Sequence, residues 1–211
     1  MAGNPGVIYY YEQFLSRLCA LLQDTYPGIA HFDIHGHSHI GFEEYADPAN
    51  IEEPADLNDQ INYQEELLYE HVEDHRNATG RVPKVILMGH SVGSYVLLEI
   101  IRRHVEKIKI DESKDFDLIG GVLLFPTIAD IAQSQLGRIA RYILQFPGFA
   151  RIVGALAHGL TYCLPDRALK VLIRMITRHS EYAVNTTANL LRSPMGIRQA
   201  LYVDLAKVPP S

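Results

Sequence analysis

One five-residue run in this 211-residue sequence has the residue types and spacing for covalent chemistry: Gly89-His90-Ser91-Val92-Gly93. A serine with glycines two positions before and after it suits the sharp strand-to-helix reversal called a nucleophile elbow, where any Cβ at the flanking positions would clash. The aliphatic stretch Val82–Met88 precedes the run. Ser94–Val105 follows it, with Tyr95, Leu97, Leu98 and Ile101 at helical spacing. Strand, turn and helix in that order are the context the motif requires. Ser91 is therefore the candidate nucleophile for acyl transfer, with Gly89 and Gly93 as elbow glycines; the plain alternative is a glycine-bearing turn with a structural serine.

The start of a helix presents free N–H groups and the positive end of the helix dipole, both of which favour a developing oxyanion. The Val92 N–H is one expected donor. A second donor is expected from a loop ahead of the first helix. Gly3-Asn4-Pro5-Gly6 is the segment with suitable backbone freedom, which nominates the Asn4 N–H.

A serine also needs a base. After Ser91 the histidines are His104, His158 and His179. His104 falls several turns along the elbow helix and the other two fall inside an apolar region, so surface or packing roles are expected for all three. Asp130 could be an acid after the next strand, but it lacks a histidine partner and reads as a helix N-terminal carboxylate. Loss of a triad histidine costs on the order of a millionfold in turnover, so this chain is expected to be weakly active or inactive.

His31, His35, His37 and His39 alternate, so a strand could array them on one face. Gly36 and the acidic loop that follows do not give metal-ligand spacing of the H-x-H-x-D-H type, and they read as loop histidines near the cleft. No metal and no cofactor are expected.

The elements that must position these residues alternate along the chain. Gly3–Pro27 reads as a loop leading into an amphipathic helix with Tyr10, Phe14, Leu18, Leu21 and Leu22 on its apolar face. Gly28–His35 reads as a short strand, 38–56 as a solvated acidic loop, and Asn58–His75 as a helix ended near Gly80. After the elbow helix, Glu106–Asp117 reads as a linker and Leu118–Phe125 as a fully buried strand. Such alternation predicts an α/β fold with a mostly parallel sheet covered on both faces. From Gly137 to His179 the pattern changes to apolar helical segments broken at Pro147-Gly148 and Pro165, with arginines spaced along them.

Composition narrows the function classes. Net charge is −13 up to Gln135 and +7 beyond it. A basic third rich in Leu, Ile, Ala and Gly suits an anionic lipid surface, and no nucleic-acid module is present. The segment Ile139–Ile176 is expected to contact lipid as an interfacial element. Its uncharged run Ile152–Pro165 is shorter than the ~20 residues a spanning helix needs. Cys19 and Cys163 lie in apolar helical patterns and suggest a reducing compartment. The N-terminus lacks a secretory signal pattern, which makes the N-x-[ST] triplets at Asn77 and Asn185 incidental.

Three blocks together carry a resemblance: Gly3-Asn4-Pro5-Gly6 with Tyr9-Tyr10-Tyr11 and Phe14, Gly89-His90-Ser91-Val92-Gly93-Ser94-Tyr95, and Leu124-Phe125-Pro126-Thr127-Ile128. The chain resembles the lipid droplet-associated hydrolase family of the α/β-hydrolase superfamily over nearly its whole length. The stretch from Ser134 to Arg138 departs from the family's S-P-N-G-R by reading Ser-Gln-Leu-Gly-Arg. Family members also carry an apolar strand before G-N-P-G and a late Asp and His, so the chain is expected to be truncated at both ends.

The resemblance implies one partial α/β-hydrolase domain over 1–211, with 137–179 as a helical cap or lipid-contacting insertion. It implies a serine esterase or lipase acting on neutral lipid esters such as sterol esters or acylglycerols, involved in lipid storage. Such an enzyme resides on lipid droplets and the cytosolic face of the endoplasmic reticulum membrane. Two other readings stay open: a non-catalytic lipid-droplet binding protein, and a soluble serine peptidase or thioesterase.

Overall fold

Lys84–His90 forms strand β1, Val92–Asp111 the helix α3, and Asp117–Leu124 strand β2, which pairs parallel to β1 with Lys84 opposite Asp117 and His90 opposite Leu124. The computed structural model describes residues 1–28, 31–42, 54–111, 115–127 and 148–203. Ahead of β1 lie a 3-10 turn, Ile8–Tyr11, and the helices α1 (Glu12–Thr25) and α2 (Leu57–Thr79). Beyond β2 come α4 (Phe149–Tyr162), α5 (Asp166–Thr177), α6 (Glu181–Arg192) and α7 (Pro194–Val203). The chain is thus a mixed helix and strand protein with a small parallel sheet, compatible with the α/β class.

Local signals set the helix ends. Asp56 caps α2 through a reciprocal box with Asp59, both bonds at 2.9 Å, so two of the donors a helix start leaves open are satisfied. Gly80, at φ 67°, closes the same helix in a conformation that costs glycine little. Gly148, at φ 85°, starts α4, and Pro165 precedes α5, where its missing N–H costs nothing. Helix α3 runs through Asp111, past the expected linker start at Glu106. Its polar end is a solvated helical face, with Arg102 bonded to Glu106 at 2.6 Å, rather than a break.

The main core joins α2, α3 and the sheet through Leu57, Ile61, Leu87, Val96, Leu97 and Ile100, each 8% exposed or less. Burying side chains of this size contributes roughly 1.5–3 kcal/mol apiece, which fixes α3 on the sheet and so fixes the turn between β1 and α3. A second cluster, Leu169, Ile173, Val184 and Ala188, holds α5 against α6.

Two expectations are corrected. β2 is not fully buried: Ile119 and Val122 stand 58% and 37% exposed, and Ile86 of β1 is open too, so among the described residues one sheet face is covered by α3 and the other is not. The described part of the 28–35 segment forms no strand. Just after it, the backbone bonds to side chains of α2: Gln60 takes both the N–H and the carbonyl of Ile40, and Gln64 takes the carbonyl of Ser38. Backbone groups satisfied by glutamines need no sheet ladder. Ile29, residues 43–53, Asp130 and 137–147 of the expected helical insertion lie outside the described residues.

Among the described residues, hydrogen bonds join helices α6 and α7 to the segments ahead of β1. The Asn4 Nδ2 donates to the Ala200 carbonyl at 2.9 Å, Gln199 exchanges two bonds with the Ala55 backbone at 2.9 and 2.8 Å, and the Tyr10 hydroxyl meets Thr187 Oγ1 at 2.9 Å. Among the described residues, no helix is long and apolar enough to cross a membrane.

Candidate active site

Ser91 lies between β1 and α3 with φ at 51°, the left-handed region that an L-residue with a side chain enters at a cost of roughly 1–2 kcal/mol. Three hydrogen bonds hold it there. Its N–H donates to the Leu124 carbonyl at the end of β2 (3.0 Å), and its carbonyl accepts from the N–H groups of Ser94 (3.0 Å) and Thr127 (3.2 Å). Local strain kept in place by surrounding bonds is typical of working positions.

The glycines around it have no room for a side chain. A Cβ on Gly89 would come 2.5 Å from the Gly93 carbonyl oxygen, and one on Gly93 would come 2.7 Å from the Met1 carbonyl oxygen. Gly3 belongs with them: its Cβ would sit 2.6 Å from His90 Nδ1 and 3.0 Å from Ser91 Cβ. The structure therefore brings the Gly3–Gly6 loop and Ser91 side by side, which joins the segment carrying Asn4 to the segment carrying Val92.

Met1 anchors that approach. Its N–H donates to the Met88 carbonyl at 2.7 Å and its carbonyl accepts from the His90 N–H at 3.2 Å. Alternate peptide groups of a strand face opposite edges, and Ser91 turns its N–H to β2, so Met1 and β2 lie on opposite edges of β1.

Further contacts fix the loop. The Tyr11 hydroxyl accepts the Gly3 N–H at 3.1 Å and lies 2.8 Å from His90 Nδ1, with burial pushing the phenol pKa up. His39, 1% exposed, packs against Gly6 and donates its Nε2–H to the Ala2 carbonyl at 2.8 Å. Burial lowers the His39 pKa to about 4, so the ring is neutral at ordinary pH. The Asn4 side chain donates to Ala200, while its Oδ1 is buried without a partner among the described residues.

Two nearby residues were not read from sequence as site residues. Thr127 Oγ1 lies 3.2 Å from Ser91 Oγ, and either hydroxyl can donate. Phe125 takes a positive φ of 45°, stands 85% exposed, and turns its ring edge-on toward His90 at 6.1 Å. Their sequence signals were membership of the Leu124–Ile128 block that carries the family resemblance and a place directly after a strand parallel to the one that ends at Ser91; neither signal gave them a role.

The histidines after Ser91 are engaged elsewhere. His104 lies thirteen residues along α3, roughly 20 Å down its axis; it is 3% exposed and stacks on Phe116 at 4.0 Å. His158 Nδ1 bonds the Arg192 carbonyl at 3.0 Å, and His179 is exposed.

The fold and site define a mixed α/β protein with a serine held in strained backbone where a parallel strand turns into its covering helix. The chain belongs to the lipid-droplet associated hydrolase family, whose model it matches over residues 1–207. It is 28% identical over 199 residues to a Gallus gallus protein named lipid droplet-associated hydrolase, covering 89% of this chain and 54% of that one. Proteins of the same name from Homo sapiens and Dictyostelium discoideum are 31% and 32% identical over 163 and 133 residues. Those matches cover 70% and 62% of this chain, and 44% and 38% of the relatives. The chain spans about half the length of the curated relatives it matches. No solved structure matches it.

Proposed function

We propose that Ser91 is the nucleophile of a carboxylic ester hydrolase that acts on neutral lipid esters, such as sterol esters or acylglycerols, at the surface of lipid droplets and the endoplasmic reticulum. The observation that carries this reading is the left-handed backbone at Ser91 between β1 and α3, crowded by Gly3, Gly89 and Gly93. In the proposed reaction Ser91 Oγ attacks the ester carbonyl and the alcohol leaves. The Asn4 and Val92 N–H groups hold the tetrahedral oxyanion, and water then releases the acyl group. Val92 opens α3, so its N–H is one of the donors that a helix start leaves free.

The lipid surface is the proposed partner of the 139–176 segment, whose described part supports this role as a helical cap. Leu172, Met175 and Ile176 of α5 and Ile152 and Leu156 of α4 are 42–73% exposed. Arg167 and Arg174 are exposed along α5 and Arg178 at its C-cap, so cations can meet headgroups while the apolar face enters the acyl region.

Among the described residues no histidine after Ser91 stands beside it, so the reaction of this chain should be slow. Oxyanion donors and binding alone still leave about 10³–10⁴-fold over water. Prolonged exposure to excess fluorophosphonate, followed by peptide mapping, should show one labelled residue, Ser91, and no label in Ser91→Ala. Label on another residue, or none, overturns the assignment.

A further inference from the structure

Away from Ser91, three imidazoles from two elements meet on one surface. His37 Nε2 lies 2.7 Å from His71 Nε2. The His35 ring stacks on His71 at 4.0 Å, and His35 Nε2 contacts Asp33 Oδ2 at 3.0 Å. His71 belongs to α2, and His75 follows one turn later on the same helical face. The 31–42 segment runs against α2 in the opposite sense: Ile40 meets Gln60, Ser38 meets Gln64, and His37 meets His71.

We propose that His35, His37 and His71 form a site for a zinc-class divalent transition metal that clips the 31–42 segment to α2. An H-x-H pair on extended chain puts two rings on one side. Opposed by the imidazole of His71, they supply the nitrogen-rich set that borderline cations select over magnesium or calcium.

In this arrangement no three side chains among the described residues enclose an ion. The His37–His71 contact is an N–H···N bond in which one ring donates and the other accepts. A tetrahedral metal at about 2.0–2.1 Å from each nitrogen needs them about 3.3 Å apart, an opening of roughly 0.6 Å. Partly exposed side chains reach that by small χ rotations, with His35 swinging off the His71 face. The donor ring moves its proton from Nε2 to Nδ1, so two neutral imidazoles can bind with no net proton release. Neutrality is already favoured: desolvation first, then neighbouring imidazole charge, lowers the pKa of both His37 and His71. Asp33 is positioned to orient His35 by accepting its ring N–H, the usual carboxylate support of a ligating histidine.

The clip would act on structure. The same segment carries His39 beneath Gly6, so fastening it to α2 steadies the loop that lies against Ser91.

The test is zinc chloride titrated into the full chain at pH 7.5, followed by calorimetry and thermal unfolding. One zinc per chain with a rise in Tm is expected, and magnesium should give neither. The double variant His37→Ala/His71→Ala should weaken binding at least tenfold, while His179→Ala, at an exposed position, should leave it unchanged. Imidazole NMR of the wild type guards against a variant that fails to fold: zinc should shift the rings of His35, His37 and His71. No saturable zinc binding, shifts confined to other histidines, or equal affinity in the folded double variant would each overturn the site.

Discussion

The Thr127 hydroxyl lies 3.2 Å from the Ser91 hydroxyl, while the Thr127 N–H donates to the Ser91 carbonyl, also at 3.2 Å. One residue three positions past the end of β2 thus holds both the backbone and the side chain of the candidate nucleophile. A net hydrogen bond of this kind is worth about 0.5–1.5 kcal/mol. Thr127→Val should therefore slow fluorophosphonate labelling of Ser91 by about two- to tenfold, and Thr127→Ser should restore it. Equal labelling rates in all three proteins would remove Thr127 from the site.

Glycine replacements separate crowded positions from open ones. Gly93→Ala drives a methyl into the Met1 and Ala2 carbonyls and should cost about 1–3 kcal/mol, as overpacking does. Gly120→Ala meets no atom within 4 Å and should stay within about 0.5 kcal/mol of wild type. Urea unfolding of the two variants measures the contrast, and equal midpoints would contradict the packing described around Ser91.

Acid should unfold the protein through its buried imidazoles. His39 has a folded pKa near 4, below the ordinary 6.5, so its contribution is complete above about pH 6.5 and is lost as pH falls toward 4. The difference amounts to about 3 kcal/mol across that window. His104, also lowered by desolvation and stacked on Phe116, works in the same direction. Denaturant melts from pH 7 to 4 should show the slope, and His39→Gln should flatten it; an unchanged slope would contradict a neutral buried ring.

Much of the path to Ser91 was legible because its signals are local. The change from a continuous aliphatic run to helical spacing marks β1 and α3, and Gly148 and Pro165 mark the breaks at α4 and α5. The 31–35 segment misled because its alternation of Phe32 and Ile34 is a strand pattern, whereas the bonds that satisfy the neighbouring backbone come from Gln60 and Gln64, 20 and 26 residues from their partners. Thr127 and His71 were missed for the same reason. The Leu124–Ile128 block marks Thr127 for resemblance but not for a role, nothing near His71 marks it, and each matters through a partner 36 or 34 residues distant. The reading stopped short of α6 and α7, whose attachment to the rest shows in Asn4–Ala200, Gln199–Ala55 and Tyr10–Thr187.

The exposed face of α5 should govern binding to lipid. Leu172→Ser/Ile176→Ser removes two apolar side chains that together offer a few kcal/mol of burial in an acyl layer. Flotation with phospholipid-coated triacylglycerol droplets should show at least a tenfold loss of bound protein. Binding equal to wild type would exclude this face as the docking element.

The most direct test of Ser91 as nucleophile is a crystal structure of the protein after reaction with an alkyl phosphonate. The account expects the phosphorus bonded to Ser91 Oγ and one phosphonyl oxygen about 3 Å from the N–H groups of both Asn4 and Val92. An adduct on another residue, or one whose oxygen points away from both donors, would contradict it.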